Sequence, residues 1–261
     1  MTILLSDPRV RAVPVVECGE PLVRLPHDLS PAGALVRAGL AERLVAADRA
    51  LPAGIRLRVV EGFRSLEDQR AIVSSYGAEL AALHPGIDAG ELERLTSRFV
   101  APVDVAPHVA GAAVDLTLID IRARPKRSRL LRAALHARWR RCRSSTGHPA
   151  RLRSGALPSH AHRDARDGGT SWDALYGDEL DLGTPIDATP EQSDGRCWFA
   201  AGGIGADARA HRTLLADVLG AQGLVNYPTE WWHWSHGDRY WALTTGAPHA
   251  VYGPLSAAVA A

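Results

Sequence analysis

A short apolar run holds a charged residue that such a run does not tolerate without help. Val114 to Ile119 (Val-Asp-Leu-Thr-Leu-Ile) is rich in β-branched residues and reads as a buried strand. Asp115 lies inside it. A lone carboxylate there costs several kcal/mol unless it is paired, hydrogen-bonded or bound to a metal. Seven positions upstream stands His108, and only small or apolar residues separate the two (Val-Ala-Gly-Ala-Ala-Val). Gly111 and its neighbouring alanines leave room beside the backbone, as a chain needs where a ligand approaches closely. The stretch alone leaves two readings open. One is a core aspartate satisfied by backbone amides, next to a surface histidine. The other is part of a metal site.

Two further stretches bear on that choice. Tyr227-Pro-Thr-Glu-Trp-Trp-His-Trp-Ser235 carries Glu230 and His233 among three tryptophans. A catalytic zinc takes three protein ligands. His108, Asp115 and His233 would supply them and leave Glu230 free to take a proton from an activated water. The competing reading is an aromatic core strand with incidental polar neighbours. On a regular strand, residues three apart point to opposite faces, so the chain must bend here or His233 must lean over the sheet edge. Upstream, a strand expected over Ile55–Val60 ends in Glu61-Gly-Phe-Arg64. Arg64 at a strand end can hold an oxyanion through charge-assisted hydrogen bonds, or form a surface salt bridge.

The ordered set of a glycine-aromatic-Arg turn, His-x-x-Gly-x-Ala-x-Asp and Glu-Trp-Trp-His resembles the zinc D-alanyl-D-alanine dipeptidases (VanX-type, peptidase family M15). The resemblance spans roughly residues 14–120 and 179–255. It implies that His108, Asp115 and His233 bind one Zn2+ per chain, that Glu230 is the general base, and that Arg64 stabilises the transition state. It also implies an aspartate that holds the substrate ammonium, and Asp187 in Leu182-Gly-Thr-Pro-Ile-Asp187 occupies that place. The implied reaction is hydrolysis of D-Ala-D-Ala or similar D,D-dipeptides by metal-activated water. Two alternatives are a D,D-carboxypeptidase or cell-wall endopeptidase of the same fold, and a non-enzymatic protein that binds nucleic acid or an anionic surface. Pro107 departs from the family pattern, which has serine just before the first histidine.

The chain has 261 residues, 46% hydrophobic and 23% charged, the composition of an ordinary globular protein. No apolar run approaches the roughly 18 residues of a membrane span. The N-terminus meets Pro8 at once, with no basic region before its short apolar run, and does not read as a secretory signal. The widely spaced Cys18, Cys142 and Cys197 read as reduced thiols of a cytoplasmic protein.

Along the chain, residues 9–25 suggest one or two short strands. Ser30-Pro31 predicts the start of a helix running to about Leu51. Ser65 predicts a second helix start with an imperfect capping box, Gly90 a third, and Ala206 to Ala221 a later helix closed by Gly223. Asp238–Leu243 reads as a last strand. The expected class is α+β, with helices packed on a small, mostly antiparallel sheet (a D,D-peptidase/Hedgehog-like fold by resemblance), forming a single catalytic domain over residues 1–261.

Residues 122–176 form a long basic insertion where the family has a hairpin turn. Residues 122–163 hold twelve arginines, one lysine and no acidic residue, which leaves 17 basic and 29 acidic residues elsewhere, a balance of −12. Three readings stand: a loosely packed loop on an acidic body, an electrostatic module for nucleic acid or an anionic surface, or a segment translated out of frame. It lacks the aromatic-basic interleaving of nucleic-acid motifs. The expectation is that it stays outside the metal site and that its flanking strands still pair.

Overall fold

The structure, a computed structural model, describes residues 2–122 and 178–255. Its secondary elements run in the order α1 (Pro8–Ala12), β1 (Leu22–Arg24), β2 (Leu35–Arg37), α2 (Ala38–Ala50), β3 (Ile55–Glu61), α3 (Leu66–Leu83), α4 (Ala89–Thr96), a 3-10 turn (Pro107–Ala110), β4 (Ala113–Asp120), β5 (Asp178–Glu179), α5 (Pro190–Ser193), α6 (Ala206–Gly220), β6 (Val225–Asn226), β7 (His233–Ser235) and α7 (Arg239–Thr245). The class is α+β, as the sequence pattern implies.

Strand β4 is the axis of the sheet. It pairs antiparallel with β3 along one edge; on the other edge its first residues pair with β7 and its last with β5. The order β3-β4-β7-β6 leaves β4 covered on both edges, and all its residues but Asp120 are buried. Strands buried on both sides lose the alternation of a half-exposed strand and read as continuous apolar runs. The flanks of the basic insertion do pair, Ile119 with Glu179 and Asp120 with Asp178. The insertion itself lies outside the described residues, apart from Arg122.

One sheet face carries Leu57 and Val59 of β3 and Val114, Leu116 and Leu118 of β4, all buried in the main core. Helix α2 covers it with Leu40, Leu44 and Ala47, and α6 with Leu215, Val218 and Leu219. Side chains alternate along a strand, so Asp115 points to the opposite face. Its cross-strand partner there is His233, and Val114 pairs with Trp234 on the core side. A β-bulge between Val59 and Glu61 brings Glu61 into register with Asp115. Without that extra residue Glu61 would share the core-facing parity of Leu57 and Val59; bulges re-aim side chains in this way. Glu61, Asp115 and His233 therefore form one polar row across three strands.

Three local expectations are corrected. The helix expected from Ser30 begins at Ala38. The buried Ser30 hydroxyl instead donates to the Val59 carbonyl and accepts from the Ala34 amide, closing a turn, and Leu35–Arg37 pairs with β1. Asp238–Leu243 is helical, because the Asp238 carboxylate accepts from the Tyr240 and Trp241 amides at 2.7 and 3.1 Å and caps α7. Residues 9–25 hold a short helix, capped by Asp7, as well as the strand β1. The Ser65 cap, with its bond from the Asp68 amide, forms as expected.

Candidate active site

His108, Asp115 and His233 come together from a turn and two strands. His108 sits in the 3-10 turn, which begins at Pro107 and ends at Gly111 with φ of 65°. That left-handed conformation suits glycine, and a Cβ there would meet the Leu22 side chain at 2.5 Å. The turn is pinned to the glycine-aromatic-Arg segment from both sides. The Gly62 carbonyl lies 2.7 Å from His108 Nδ1, and the Arg64 amide donates to the His108 carbonyl at 3.1 Å. Gly62 must be glycine, since a Cβ would fall 2.4 Å from the Leu35 carbonyl oxygen.

This pin fixes a proton. A carbonyl only accepts, so His108 Nδ1 carries the hydrogen, and in the neutral ring Nε2 then keeps its lone pair. Burial disfavours the charged ring, but the Asp115 carboxylate outweighs it and raises the His108 pKa. Nε2 points at His233 Nδ1 (3.1 Å) and Asp115 Oδ1 (3.4 Å), and the latter two are 3.1 Å apart. A single proton on His233 Nδ1 satisfies only one of two acceptors, whereas a cation at the centre satisfies all three. Tetrahedral zinc with ligands at roughly 2.0–2.1 Å sets its donors about 3.3 Å apart, so the three atoms are spaced to receive it. Among the described residues this trio is the one group of three such side chains placed to hold a metal. All three are buried. Burial opposes the charge on Asp115, but the two histidines outweigh it and hold its carboxyl well below the ordinary range.

Glu230 lies outside the trio, with Oε2 3.8 Å from His233 Nδ1. Burial, then the negative charges of Asp115 and Asp187, push its carboxyl well above the usual value, partly offset by Arg64. Glu230 is in a turn before β7 rather than on the strand, its amide bonded to the Tyr227 carbonyl at 2.9 Å. That turn is how residues three apart reach one site.

Arg64 is gripped from behind. Glu61 takes its Nε and Nη2 at 2.7 and 2.6 Å, and Gln69 takes Nη1 at 2.9 Å. These three bonds leave two of the five guanidinium N–H groups uncommitted among the described residues. Burial disfavours the cation, but Glu61, Asp115 and Asp187 outweigh it and raise its pKa, so Arg64 is charged throughout the working range. Asp187 stands in the same field, with a left-handed φ of 62°. Desolvation, then the charges of Asp115 and Glu61, push its carboxyl up to about 7, although the residue keeps an open face to solvent. All six residues singled out from the sequence thus belong to one electrostatic neighbourhood.

Sequence reasoning missed three supporting residues. Glu61 and Gln69 orient Arg64, and the Glu61–Arg64 spacing of three was a readable signal. Asn226, on β6, donates its Nδ2 to the carbonyls of Glu230 and His233, both at 2.9 Å, and more distantly to Trp231 at 3.5 Å. Nothing in a lone asparagine before a Tyr-Pro pair announces that role.

A family model described as D-ala-D-ala dipeptidase, of peptidase family M15, matches residues 152–249. That segment contains Asp187, Glu230 and His233 and stops short of Arg64, His108 and Asp115. A curated D-alanyl-D-alanine dipeptidase from Synechocystis sp. (strain PCC 6803) is 22% identical over 270 residues, covering 91% of this chain and 90% of that protein. Over these stretches the chain is similar to the M15 D-Ala-D-Ala dipeptidases. That similarity supports a peptidase, and the buried His108, Asp115 and His233 are placed so that they could hold a metal ion. No helix among the described residues is long and apolar enough to cross a membrane.

Proposed function

We propose that this chain is a zinc-dependent D,D-dipeptidase that hydrolyses D-Ala-D-Ala or a close analogue, on a D,D-peptidase/Hedgehog-like fold. The observation that carries the reading is the convergence of His108 Nε2, Asp115 Oδ1 and His233 Nδ1 within 3.4 Å of one another, with Glu230 beside them. Those three residues would hold one zinc ion. When bound, zinc supplies a Lewis acid that acidifies water and polarises a carbonyl.

The chain's own residues then divide the work. Glu230 takes the proton of the attacking water and returns it to the leaving amine; burial and the nearby carboxylates raise its pKa, which makes it a stronger base. The free N–H groups of Arg64 face the oxyanion that develops on the carbonyl oxygen, and Glu61 and Gln69 fix them beforehand. Asp187 pairs with the free ammonium of the dipeptide, a cation that is costly to bury unpaired. Among the described residues the exposed Cys18 and buried Cys197 are free thiols, which fits a cytoplasmic setting.

Glu230→Ala tests the division of roles. It should keep zinc and lose D-Ala-D-Ala hydrolysis by about 10²–10⁴-fold. Loss of zinc together with activity would make Glu230 a ligand or a structural residue instead.

A further inference from the structure

Arg212, on α6, is 1% exposed and forms no ion pair among the described residues. Removing a guanidinium from water without a counter-charge is costly unless its N–H groups are satisfied. Backbone carbonyls take four of its five N–H groups here. Nε donates to Leu182 (2.8 Å), Nη1 to Trp198 (2.6 Å) and Phe199 (3.2 Å), and Nη2 to Arg196 (2.8 Å). The four carbonyls come from the two ends of one segment, residues 182–199. The guanidinium therefore closes the neck of a loop. Its carbon also sits 5.7 Å from the ring centre of Trp231, the residue after Glu230. Trp231 closes the neck a second time: its Nε1 donates to Thr184 Oγ1 at 2.8 Å and its amide to the Cys197 carbonyl at 3.0 Å.

Inside this loop lies Asp187, a non-glycine residue with φ of 62°. Such a conformation stores strain and persists only where its surroundings over-determine it. We propose that Arg212 is a positioning residue for substrate selection. By clamping the loop neck against Trp231, it holds Asp187 toward Arg64 and Glu230 and so sets the preference for dipeptides with a free ammonium. The inference rests on the reading of Asp187 given above.

The test is steady-state hydrolysis of D-Ala-D-Ala and N-acetyl-D-Ala-D-Ala by the zinc-loaded full-length protein. Arg212→Lys and Arg212→Gln should raise KM for the free dipeptide about 10- to 100-fold, with a much smaller change in kcat. Turnover of the acetylated dipeptide should fall far less, and zinc content should not change. Asp187→Asn should lose the same preference, and Arg212→Lys combined with Asp187→Asn should lose no more than Asp187→Asn alone, because the two act as a unit. If the Arg212 variants do not fold, Thr184→Val loosens the second closure and should shift the preference in the same direction. Loss of preference in Asp187→Asn but not in the folded Arg212 or Thr184 variants overturns the clamp, and so does additive loss in the combined variant. An unchanged preference in Asp187→Asn overturns the Asp187 reading and the clamp with it.

Discussion

Asn226→Ala isolates a side chain that bonds only to backbone carbonyls yet ties two site residues together. Its amide nitrogen donates to the Glu230 and His233 carbonyls at 2.9 Å each. Partners that are all carbonyls assign the nitrogen without ambiguity, since an oxygen there would face oxygens. Each bond contributes about 0.5–1.5 kcal/mol net. Neither carbonyl is stranded by the substitution: the Tyr227 amide also reaches His233 O (3.1 Å) and the His233 amide reaches Glu230 O (3.3 Å). No large desolvation penalty is therefore added, and the expected loss is about 2 kcal/mol. In a domain of this size that lowers Tm by about 4–8 °C. The turn it releases sets both Glu230 and His233, so zinc affinity should fall about 10- to 100-fold, the usual effect of removing a group that orients a ligand. Asn226→Asp should be worse than Asn226→Ala, because it sets a carboxylate against those carbonyls. The assays are a thermal melt and a competition titration of zinc against a chelator. A melt within 1 °C of wild type together with zinc affinity within about twofold would refute the reasoning, since both effects derive from the same two bonds.

Gly62→Ala forces a Cβ to 2.4 Å from the Leu35 carbonyl, so it should cost about 1–3 kcal/mol in a melt and weaken zinc binding by moving the acceptor of His108. The pH dependence of selectivity follows from Asp187. Its folded pKa is raised to about 7, so it is neutral below that pH and carries its charge above it. The ratio of free to acetylated dipeptide turnover should rise from pH 6 to pH 8 in wild type and stay flat in Asp187→Asn; a parallel rise in both would remove Asp187 from the account. Replacing residues 121–177 with an Asn-Gly turn should retain zinc and hydrolysis, because Asp120 and Asp178 already pair; a folded but inactive product would show that the insertion shapes the site.

The residues that converge were more legible than the elements that carry them. Asp115 was legible because a carboxylate in an apolar strand demands an explanation, and the structure supplies His108 and His233. The Glu230–His233 spacing was puzzling on a strand and resolves once Glu230 lies in a turn held by Asn226. What could not be read were choices made by distant partners. Ser30 has the chemistry of a helix cap but spends its hydroxyl on Val59, twenty-nine residues away. Asp238 looked like a strand start, yet it caps a helix. The bulge that turns Glu61 toward Asp115 leaves no local signature, because one extra residue in a strand shows only against its partner.

Zinc content, measured by elemental analysis alongside D-Ala-D-Ala hydrolysis, tests the central claim most directly. Purified wild-type protein should hold one zinc per chain, lose hydrolysis on chelation and regain it when zinc is returned, while His108→Ala should fail to retain the metal. Full hydrolysis after complete removal of metal, or full zinc occupancy in His108→Ala, would contradict the account.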